Sequence, residues 1–534
     1  MQDHQEKIQT YLNAQKYNQA LQLINKNLKI KFDFDLLNYR AVIYLIQSKY
    51  DAALSELNEL LKISPNNSNI LCNIGIAYNG KKDYTKAITF FNKCLSIDPN
   101  LTEAYLNLSE SFYQNFDYVL SLETLKKLNL KNANIERSYQ LMASCYREIN
   151  DFENHHQSLL FATKINPGNF LNYYHLGFSF IWKKEIDLAV KSFQHSFDLN
   201  NSYTPCLYQI NKIKKFRSDS NFFTTLTSQI TNHNLSPDSK AYLQLTLSDI
   251  YYEEQNYTNF FKYLHSANKI KNNSISGYQR DTLKLDLIQK FFSFVYDNQI
   301  KYDPPDFTPI FILGMPRSGS SIIEQSLSQT DEVYAAGEIP IIHEKFSNLL
   351  HSFNPKTFMI DEITAIRNQY LHLLNSFPKK RFVIDKLPLN FFWIGFIHLI
   401  FPNAIFIHTQ RKKVDTCMSL YRTFFADGVL NFSYKIEHID SFFNTYLSCM
   451  EFWRSFTHIN IYDIDYANFI NSPSKVLSDL FKNLNLNYSS QFLNFSDSNR
   501  PVKTASLLQV QGGIQKFSYP KWDLFQDEIN SFLS

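Results

Sequence analysis

Apolar and small residues recur along the first half of the chain with a nearly constant spacing. An aromatic or aliphatic residue is followed three positions later by a small one, once every 33 or 34 residues. The pairs are Tyr17/Ala20, Tyr50/Ala53, Tyr84/Ala87, Tyr118/Ser121, Phe152/His155 and Ile186/Ala189. Prolines fall in phase with these pairs at Pro65, Pro99 and Pro167, and glycines at Gly75 and Gly177. A period of this length predicts one helical unit repeated along the chain.

This unit resembles the tetratricopeptide repeat, a pair of antiparallel helices. The small residue lets the two helices approach closely, and the proline ends the second helix. Because His155 is large for the small position, we expect that unit to be distorted. The phase is lost after about Leu199, although residues 241–270 resemble one further, diverged helix pair. Six or more such units predict a superhelical solenoid.

The repeats have two alternative functions. The groove of a solenoid can bind a protein or peptide, here a partner or the acceptor of a reaction. Alternatively, the repeats support the second half of the chain or form a homodimer. The period is specific for the fold but not for a ligand.

The second half changes to short apolar runs separated by turns. A helix is expected over residues 278–296, and the prolines of DPPD (303–306) mark a boundary. PIFILG (309–314) and RFVID (381–385) read as buried strands, and FFWIGFIHLIFPNAIFIH (391–408) as a buried helix followed by a strand rather than a membrane span. We predict an α-helical solenoid over 1–275, a helical linker over 276–306, and over 307–534 an α/β domain with three layers and a mainly parallel sheet.

Composition excludes several classes of protein. The chain has 534 residues, 44% of them hydrophobic, and a net charge of +3, too low to indicate nucleic acid as a partner. The six cysteines are scattered and form no metal-binding or disulfide pattern. The polar N-terminus resembles no signal peptide, so we expect a cytoplasmic protein.

The stretch GMPRSGSS (314–321) lies between a predicted strand and a predicted helix. It resembles a phosphate-binding P-loop, but Ser320 stands where the lysine belongs. Without that lysine, γ-phosphoryl transfer loses its main charge stabiliser, which disfavours a kinase or ATPase. Arg317 offers instead a forked guanidinium to a terminal phosphate.

This loop resembles the 5′-phosphosulfate loop of sulfotransferases, most closely that of tyrosylprotein sulfotransferases and their bacterial relatives. Those enzymes use 3′-phosphoadenosine-5′-phosphosulfate (PAPS). The resemblance implies that the 5′-phosphate is held by Arg317, Ser318, Gly319, Ser320 and Ser321. The alternative is a chance loop between a strand and a helix.

The segment FPNAIFIHTQRKKVDTCMSLYRTFF (401–425) resembles the 3′-phosphate segment of the same family. A strand ends near Arg411, and Ser419 follows eight residues later on the next helix. The resemblance implies that both contact the 3′-phosphate, with Arg422 a further candidate. Otherwise they are a surface arginine and an ordinary helix serine.

Two further segments carry the candidate chemistry. Lys386 directly follows the predicted strand RFVID, where similar enzymes have a lysine, and it would stabilise the oxygen that bridges sulfur and phosphate. Glu338, in AAGEIPII (335–342), matches the family's catalytic base, which an acceptor hydroxyl requires. The alternatives are a solvated lysine in a turn and a helix-capping glutamate, while Glu324 is a weaker candidate for the base.

The C-terminal stretch from Asn499 to Phe525 resembles the closing segment of this family. Ser506 is expected near the transferred group, and Trp522 reads as a packing residue. Gln511, Gly512 and Gly513 depart from the usual basic residue and proline, which puts the cofactor contacts there in question.

Together these features predict transfer of a sulfuryl group from PAPS to a hydroxyl without a metal. The acceptor is open between protein tyrosine, a glycan and a small molecule. The main alternative is a non-catalytic tetratricopeptide scaffold that carries a silent sulfotransferase-like domain.

Overall fold

The computed structural model describes residues 2–132, 134–275, 282–297, 301–355, 360–425 and 430–494. The chain forms two compact units, Met1–Pro167 and Gly168–Ser534. None of the helices within the described ranges is both long and apolar enough to cross a bilayer. All six cysteines are buried with free thiols.

The first unit consists of consecutive antiparallel helix pairs. Its helices are α1 (Gln2–Asn13), α2 (Tyr17–Leu28), α3 (Phe34–Ile46), α4 (Tyr50–Ile63), α5 (Ser68–Gly80), α6 (Tyr84–Ile97), α7 (Thr102–Gln114), α8 (Tyr118–Lys131), α9 (Glu136–Glu148) and α10 (Phe152–Ile165). The first member of every predicted pair in this unit is the first residue of a helix. Pro65 and Pro99 each follow the end of a helix by two residues, so they end these helices as expected.

The small residues occupy the contact between paired helices. Ala53 and Ala87 are fully buried, and a side chain at Gly75 would come within 2.6 Å of the Phe91 ring. The repeat therefore alternates a small residue on one helix with a large one on the next, which allows close helix packing.

The expected distortion around His155 is not observed. Its helix α10 has 14 residues, as α8 has in the preceding pair. The imidazole is buried, and its Nδ1 lies 2.8 Å from the carbonyl oxygen of Ala143 on α9. Ser121 does the same one repeat earlier, donating to the carbonyl of Ser109 at 2.8 Å. Because the Ser121 hydroxyl and the His155 Nδ1 each have a partner on the facing helix, these residues can replace alanine without disrupting the pair.

The second unit begins with further helices. They are α11 (Phe170–Trp182), α12 (Ile186–Leu199), α13 (Pro205–Lys214), α14 (Asn221–Gln229), α15 (Pro237–Glu253), α16 (Tyr257–Ser274) and α17 (Thr282–Asp297). Helices α15 and α16 confirm the diverged pair predicted over residues 241–270. The predicted helix at 278–296 corresponds to α17, whose first described residue is Thr282.

The α/β part follows in the order β1 (Thr308–Gly314), α18 (Ser320–Leu327), β2 (Val333–Gly337), α19 (Ile341–Ser352), α20 (Asp361–Leu374), β3 (Phe382–Asp385), α21 (Ile394–Ile400), β4 (Ile405–Gln410), α22 (Lys413–Tyr421), α23 (Ile436–Arg454), β5 (Ile461–Asp465), α24 (Tyr466–Asn471) and α25 (Pro473–Asn483). Short 3₁₀ helices occupy Pro388–Trp393, Asn431–Tyr434 and Ser490–Leu493. The sheet, a β2-β3-β1-β4-β5 array, is parallel at every pairing.

Helices cover both faces of this sheet, which confirms the three predicted layers. On one face Ile310 and Ile312 of β1 pack with Ile323 of α18 and Leu477 of α25. On the other face, Phe311 stacks on Tyr370 of α20. A strand buried on both faces reads as a continuous apolar run, as PIFILG does.

The strand order also places the candidate residues. The chain turns from β1 toward β2 and later returns to β4 on the opposite side of β1. Ligands of open α/β sheets bind outside the carboxyl ends of the strands at such a switch point. Arg317 follows β1 and Arg411 follows β4, so both lie at this edge.

Candidate functional site

The loop after β1 is held in a conformation that favours glycine. Gly314 and Gly319 have φ angles of +139° and +100°, and Arg317 has +70°. The Ser318 hydroxyl lies 2.6 Å from the carbonyl oxygen of Met315 and 2.7 Å from Oγ1 of Thr409 on β4. This buried hydroxyl therefore ties the loop to the neighbouring strand.

The loop leads directly into the first turn of α18. Ser320 and Ser321 are the first two residues of this helix, and both are buried. The residue before them, Gly319, has no side chain that could accept from the N–H groups of the first turn. A helix that begins in this way presents positive partial charge to an anion.

Two arginines and a serine meet beside this loop. The Arg317 Nε donates to the Ser419 hydroxyl at 3.1 Å, and Nη1 of Arg411 donates to the Arg317 carbonyl at 3.2 Å. The Arg411 guanidinium lies 4.8 Å from the centre of the Tyr466 ring. The structure thus brings together the residues predicted for the 5′-phosphate and the 3′-phosphate.

The charge of this cluster favours an anionic ligand. Burial, together with the nearby charge of Arg411, lowers the pKa of Arg317 to about 10. The buried Nε of Arg411 has no hydrogen-bond partner among the described residues. Burial disfavours a charged guanidinium and a buried donor without a partner costs free energy, so an anion bound beside the two arginines would stabilise both.

Glu338 and Lys386 form an ion pair at the same edge of the sheet. The Lys386 Nζ lies 2.5 Å from Oε1 of Glu338, and the side chains are 1% and 44% exposed. They meet because β2 and β3 are neighbours, with Gly337 paired opposite Asp385. Glu338 also precedes α19 by three residues, and Pro340 is the N-cap of that helix, so the glutamate does not cap it.

The buried carboxylate of Asp385 links the two segments that carry this ion pair. Asp385 accepts from the Ile339 N–H at 3.3 Å, the Tyr370 hydroxyl at 2.9 Å and the Asn390 amide at 3.2 Å. Burial raises the pKa of Asp385 to about 7 even though these donors favour its charged form. The network holds the residue after Glu338 against the residue before Lys386.

Comparison with known families gives this arrangement a context. Residues 309–490 match the family model described as "Sulfotransferase family", and residues 68–101 match "Tetratricopeptide repeat". The chain combines tetratricopeptide repeats with a sulfotransferase-family domain. Its loop after β1, its arginine cluster and its Glu338–Lys386 pair all lie within the matched sulfotransferase range.

A relative from Aquifex aeolicus (strain VF5), named as an uncharacterized protein, is 32% identical over 238 residues. The match covers 42% of this chain and 31% of the relative, so it extends over about a third of the relative's length.

Two solved structures resemble part of the chain. MamA from Desulfovibrio magneticus RS-1 is 24% identical, covering 32% of this chain and 96% of its own, with a TM-score of 0.30. YrrB, described as a TPR protein with an unusual peptide-binding site, is 16% identical, covering 35% and 96%, with a TM-score of 0.30.

Several residues of the sulfotransferase domain were not anticipated from the sequence. They are Tyr370, Asn390 and Tyr466, and the role of Asp385 was also missed. No spacing signal could have identified them, because each acts through a partner on a different strand or helix.

Ser506, the 511–513 segment and Trp522 lie outside the described residues. Within the described ranges, no group of three or more His, Cys, Asp or Glu side chains is arranged to hold a metal.

Gly319→Ala should destabilise the protein more than Gly337→Ala. Both residues have positive φ, at +100° and +85°, which costs a non-glycine residue about 1–2 kcal/mol. A side chain at Gly319 would also lie 2.4 Å from the Tyr466 ring, whereas at Gly337 nothing lies within 4 Å. Urea unfolding of both variants measures the difference, and equal losses would mean that Tyr466 yields without cost.

Proposed function

We propose that this protein transfers a sulfuryl group from PAPS to the hydroxyl of an acceptor. The observation that carries the proposal is the ion pair of Glu338 with the buried Lys386, at the sheet edge that also holds Arg317 and Arg411. A domain that only binds a nucleotide needs the cations but has no need of a paired carboxylate beside them.

The arginine cluster fits a nucleotide with two separate anionic groups. The 5′-phosphate would be held by Arg317, by the hydroxyls of Ser320 and Ser321, and by backbone N–H groups from Ser318 to Ser321. Arg411 and Ser419 would hold the 3′-phosphate. The 3.1 Å contact between Arg317 and Ser419 supports one continuous site for both groups. Ser506 remains part of the proposal as a residue near the transferred group.

Bound PAPS would supply the sulfuryl group and the phosphate that leaves. Glu338 would take the proton of the acceptor hydroxyl while the oxygen of that hydroxyl forms a bond to sulfur. The bond from sulfur to the bridging oxygen of PAPS would break at the same time and leave its electron pair on that oxygen. The Lys386 ammonium would then donate to it, and the buried position makes this interaction stronger than it would be in water.

The tetratricopeptide repeats would bind a protein partner or the acceptor itself. We assign them to residues 1–275, the linker to 276–306 and the transferase to 307–534. A tyrosine of a protein, a glycan and a small molecule each offer the hydroxyl that Glu338 requires.

The product nucleotide, 3′,5′-adenosine bisphosphate, should stabilise the protein more than 5′-AMP does. At 100 times its dissociation constant a ligand adds about 2.7 kcal/mol to the free energy of unfolding. Thermal melts with each nucleotide measure this difference, and equal shifts would contradict the assignment of Arg411 and Ser419.

Turnover separates the enzyme from a silent scaffold. The protein is incubated with PAPS and candidate acceptors, and the release of 3′,5′-adenosine bisphosphate is measured. If the protein binds PAPS but releases no 3′,5′-adenosine bisphosphate with tyrosine-containing peptides, glycans or phenols, the result would favour the scaffold.

A further inference from the structure

Helices of the repeat region pack directly on the two helices that carry the phosphate contacts. Ile322 of α18 packs against an apolar cluster whose buried residues include members of α11 to α15. From α16, the Asn268 amide donates to the Tyr421 carbonyl at 3.0 Å, and His265 Nδ1 lies 2.8 Å from the Tyr421 hydroxyl. Both helices that carry residues of the proposed nucleotide site are thus in contact with residues from the first 275.

One arginine of the sulfotransferase domain, Arg422, contacts three residues of this region. Nη2 of Arg422 lies 3.5 Å from Oδ1 of Asp249 on α15, with side chains 20% and 9% exposed. The guanidinium also lies 3.6 Å from the centre of the Tyr252 ring and 5.2 Å from that of Phe260. An aromatic face and a carboxylate together restrict a guanidinium to one orientation.

The position of Arg422 relates it to the phosphate site. Arg422 is the C-cap of α22 and follows Ser419 by three residues, and its N–H still donates to the Met418 carbonyl at 3.1 Å, so it lies about one turn beyond Ser419. Its charge is one of those that disfavour the charged form of Arg317. Without a fixed partner, a third cation beside Arg317 and Arg411 would turn toward solvent because like charges repel.

The Asp249 carboxylate also pairs with a lysine of the repeat region. Lys212 of α13 places Nζ 2.8 Å from Oδ2 of Asp249, so one carboxylate serves two cations. The local charge therefore stays positive, and Asp249 can orient Arg422 without cancelling its attraction for an anion.

We propose that Asp249, a residue of the repeat region, is a positioning residue of the nucleotide site and acts through Arg422 on the 3′-phosphate. This inference rests on the proposed function. It means that the repeats complete the cofactor site and do more than bind a partner. The ligand is the 3′-phosphate of an adenosine nucleotide, held by Arg411, Ser419 and Arg422.

Asp249→Asn in the full chain tests this inference. Outer groups that orient a ligand-binding residue are typically worth roughly 10–100-fold in affinity, as for metal ligands, so we expect 3′,5′-adenosine bisphosphate to bind at least about 10-fold more weakly. The affinity for 5′-AMP, which lacks the 3′-phosphate, should stay unchanged. Titration calorimetry with both nucleotides measures this change in selectivity, which a general loss of stability would not produce.

Asp187→Asn is the matched control. Asp187 on α12 pairs with Lys214 of α13 at 3.2 Å and is 86% exposed, and the substitution is the same. It should leave both affinities unchanged. Asp249→Glu, which keeps the carboxylate, should restore part of the selectivity.

A double-mutant cycle shows whether Asp249 acts through Arg422. Arg422→Lys keeps the charge but loses the fork and the stacking, so it should cause a similar selective loss. Adding Asp249→Asn to Arg422→Lys should then cost little more. If Asp249→Asn does not fold, Arg422→Lys alone decides, since full selectivity in that variant would overturn the inference.

The outcomes distinguish this inference from the proposed function. If the natural protein prefers 3′,5′-adenosine bisphosphate and Asp249→Asn keeps that preference, the role of Asp249 is wrong and the proposed function stands. If the natural protein shows no preference, the proposed nucleotide site is wrong and this inference falls with it.

Discussion

Glu338→Gln is expected to lower turnover by about 10²–10⁴-fold, the usual contribution of a general base. Glutamine has nearly the same size and can still accept from Lys386, but it cannot take the proton of an acceptor hydroxyl. The affinity for 3′,5′-adenosine bisphosphate should be retained, because the arginine cluster does not include this residue. The measurement is kcat for sulfuryl transfer together with nucleotide affinity by calorimetry.

Glu332→Gln provides a closely matched control. Glu332 also forms an ion pair, with Arg381 at 2.8 Å, and its side chain is 43% exposed against 44% for Glu338. It precedes β2, whereas Glu338 follows it. Full activity in Glu338→Gln would show that another residue is the base, and an equal loss in Glu332→Gln would assign the effect to stability.

Lys386→Met should reduce kcat by about 10²–10³-fold, as the loss of one preorganised donor to a developing negative charge typically does. Methionine fills a similar space in a buried position, so the sheet should remain intact. Transfer should suffer more than binding, since the proposed interaction strengthens only as the bridging oxygen gains charge. Steady-state kinetics with PAPS as the varied substrate separates kcat from KM.

The chain offers another buried lysine for comparison. Lys271 is 5% exposed and pairs with Asp238, which is 46% exposed, much as Lys386 is 1% exposed beside a 44% exposed glutamate. Lys271→Met therefore removes an equivalent ion pair away from the sheet edge. A lower kcat for Lys386→Met but not for Lys271→Met supports the proposed role. A change in KM alone for Lys386→Met would mean that the lysine only binds the nucleotide.

Patterns in the sequence correctly predicted the elements whose contacts are local. The helices α4, α6 and α8 begin at Tyr50, Tyr84 and Tyr118, as the 34-residue period predicts. The strand, loop and helix around Arg317 are confirmed as well. In both cases the determining contacts lie within one helix pair or one strand–helix unit, so spacing along the chain is sufficient. The expected distortion at His155 was wrong because a hydrogen bond to the facing helix is not visible in a pattern of sizes.

The candidate site as a whole depended on the tertiary structure. Glu338 and Lys386 are 48 positions apart, Arg317 and Ser419 are 102 apart, and Asp249 and Arg422 are 173 apart. The sequence alone determined the helical period, the strands and the residue types that could do the chemistry. Which of them meet was decided by the strand order β2-β3-β1-β4-β5 and by the packing of α15 on the end of α22. The physical reason is that carboxyl ends of parallel strands share one edge, whatever the chain length between them.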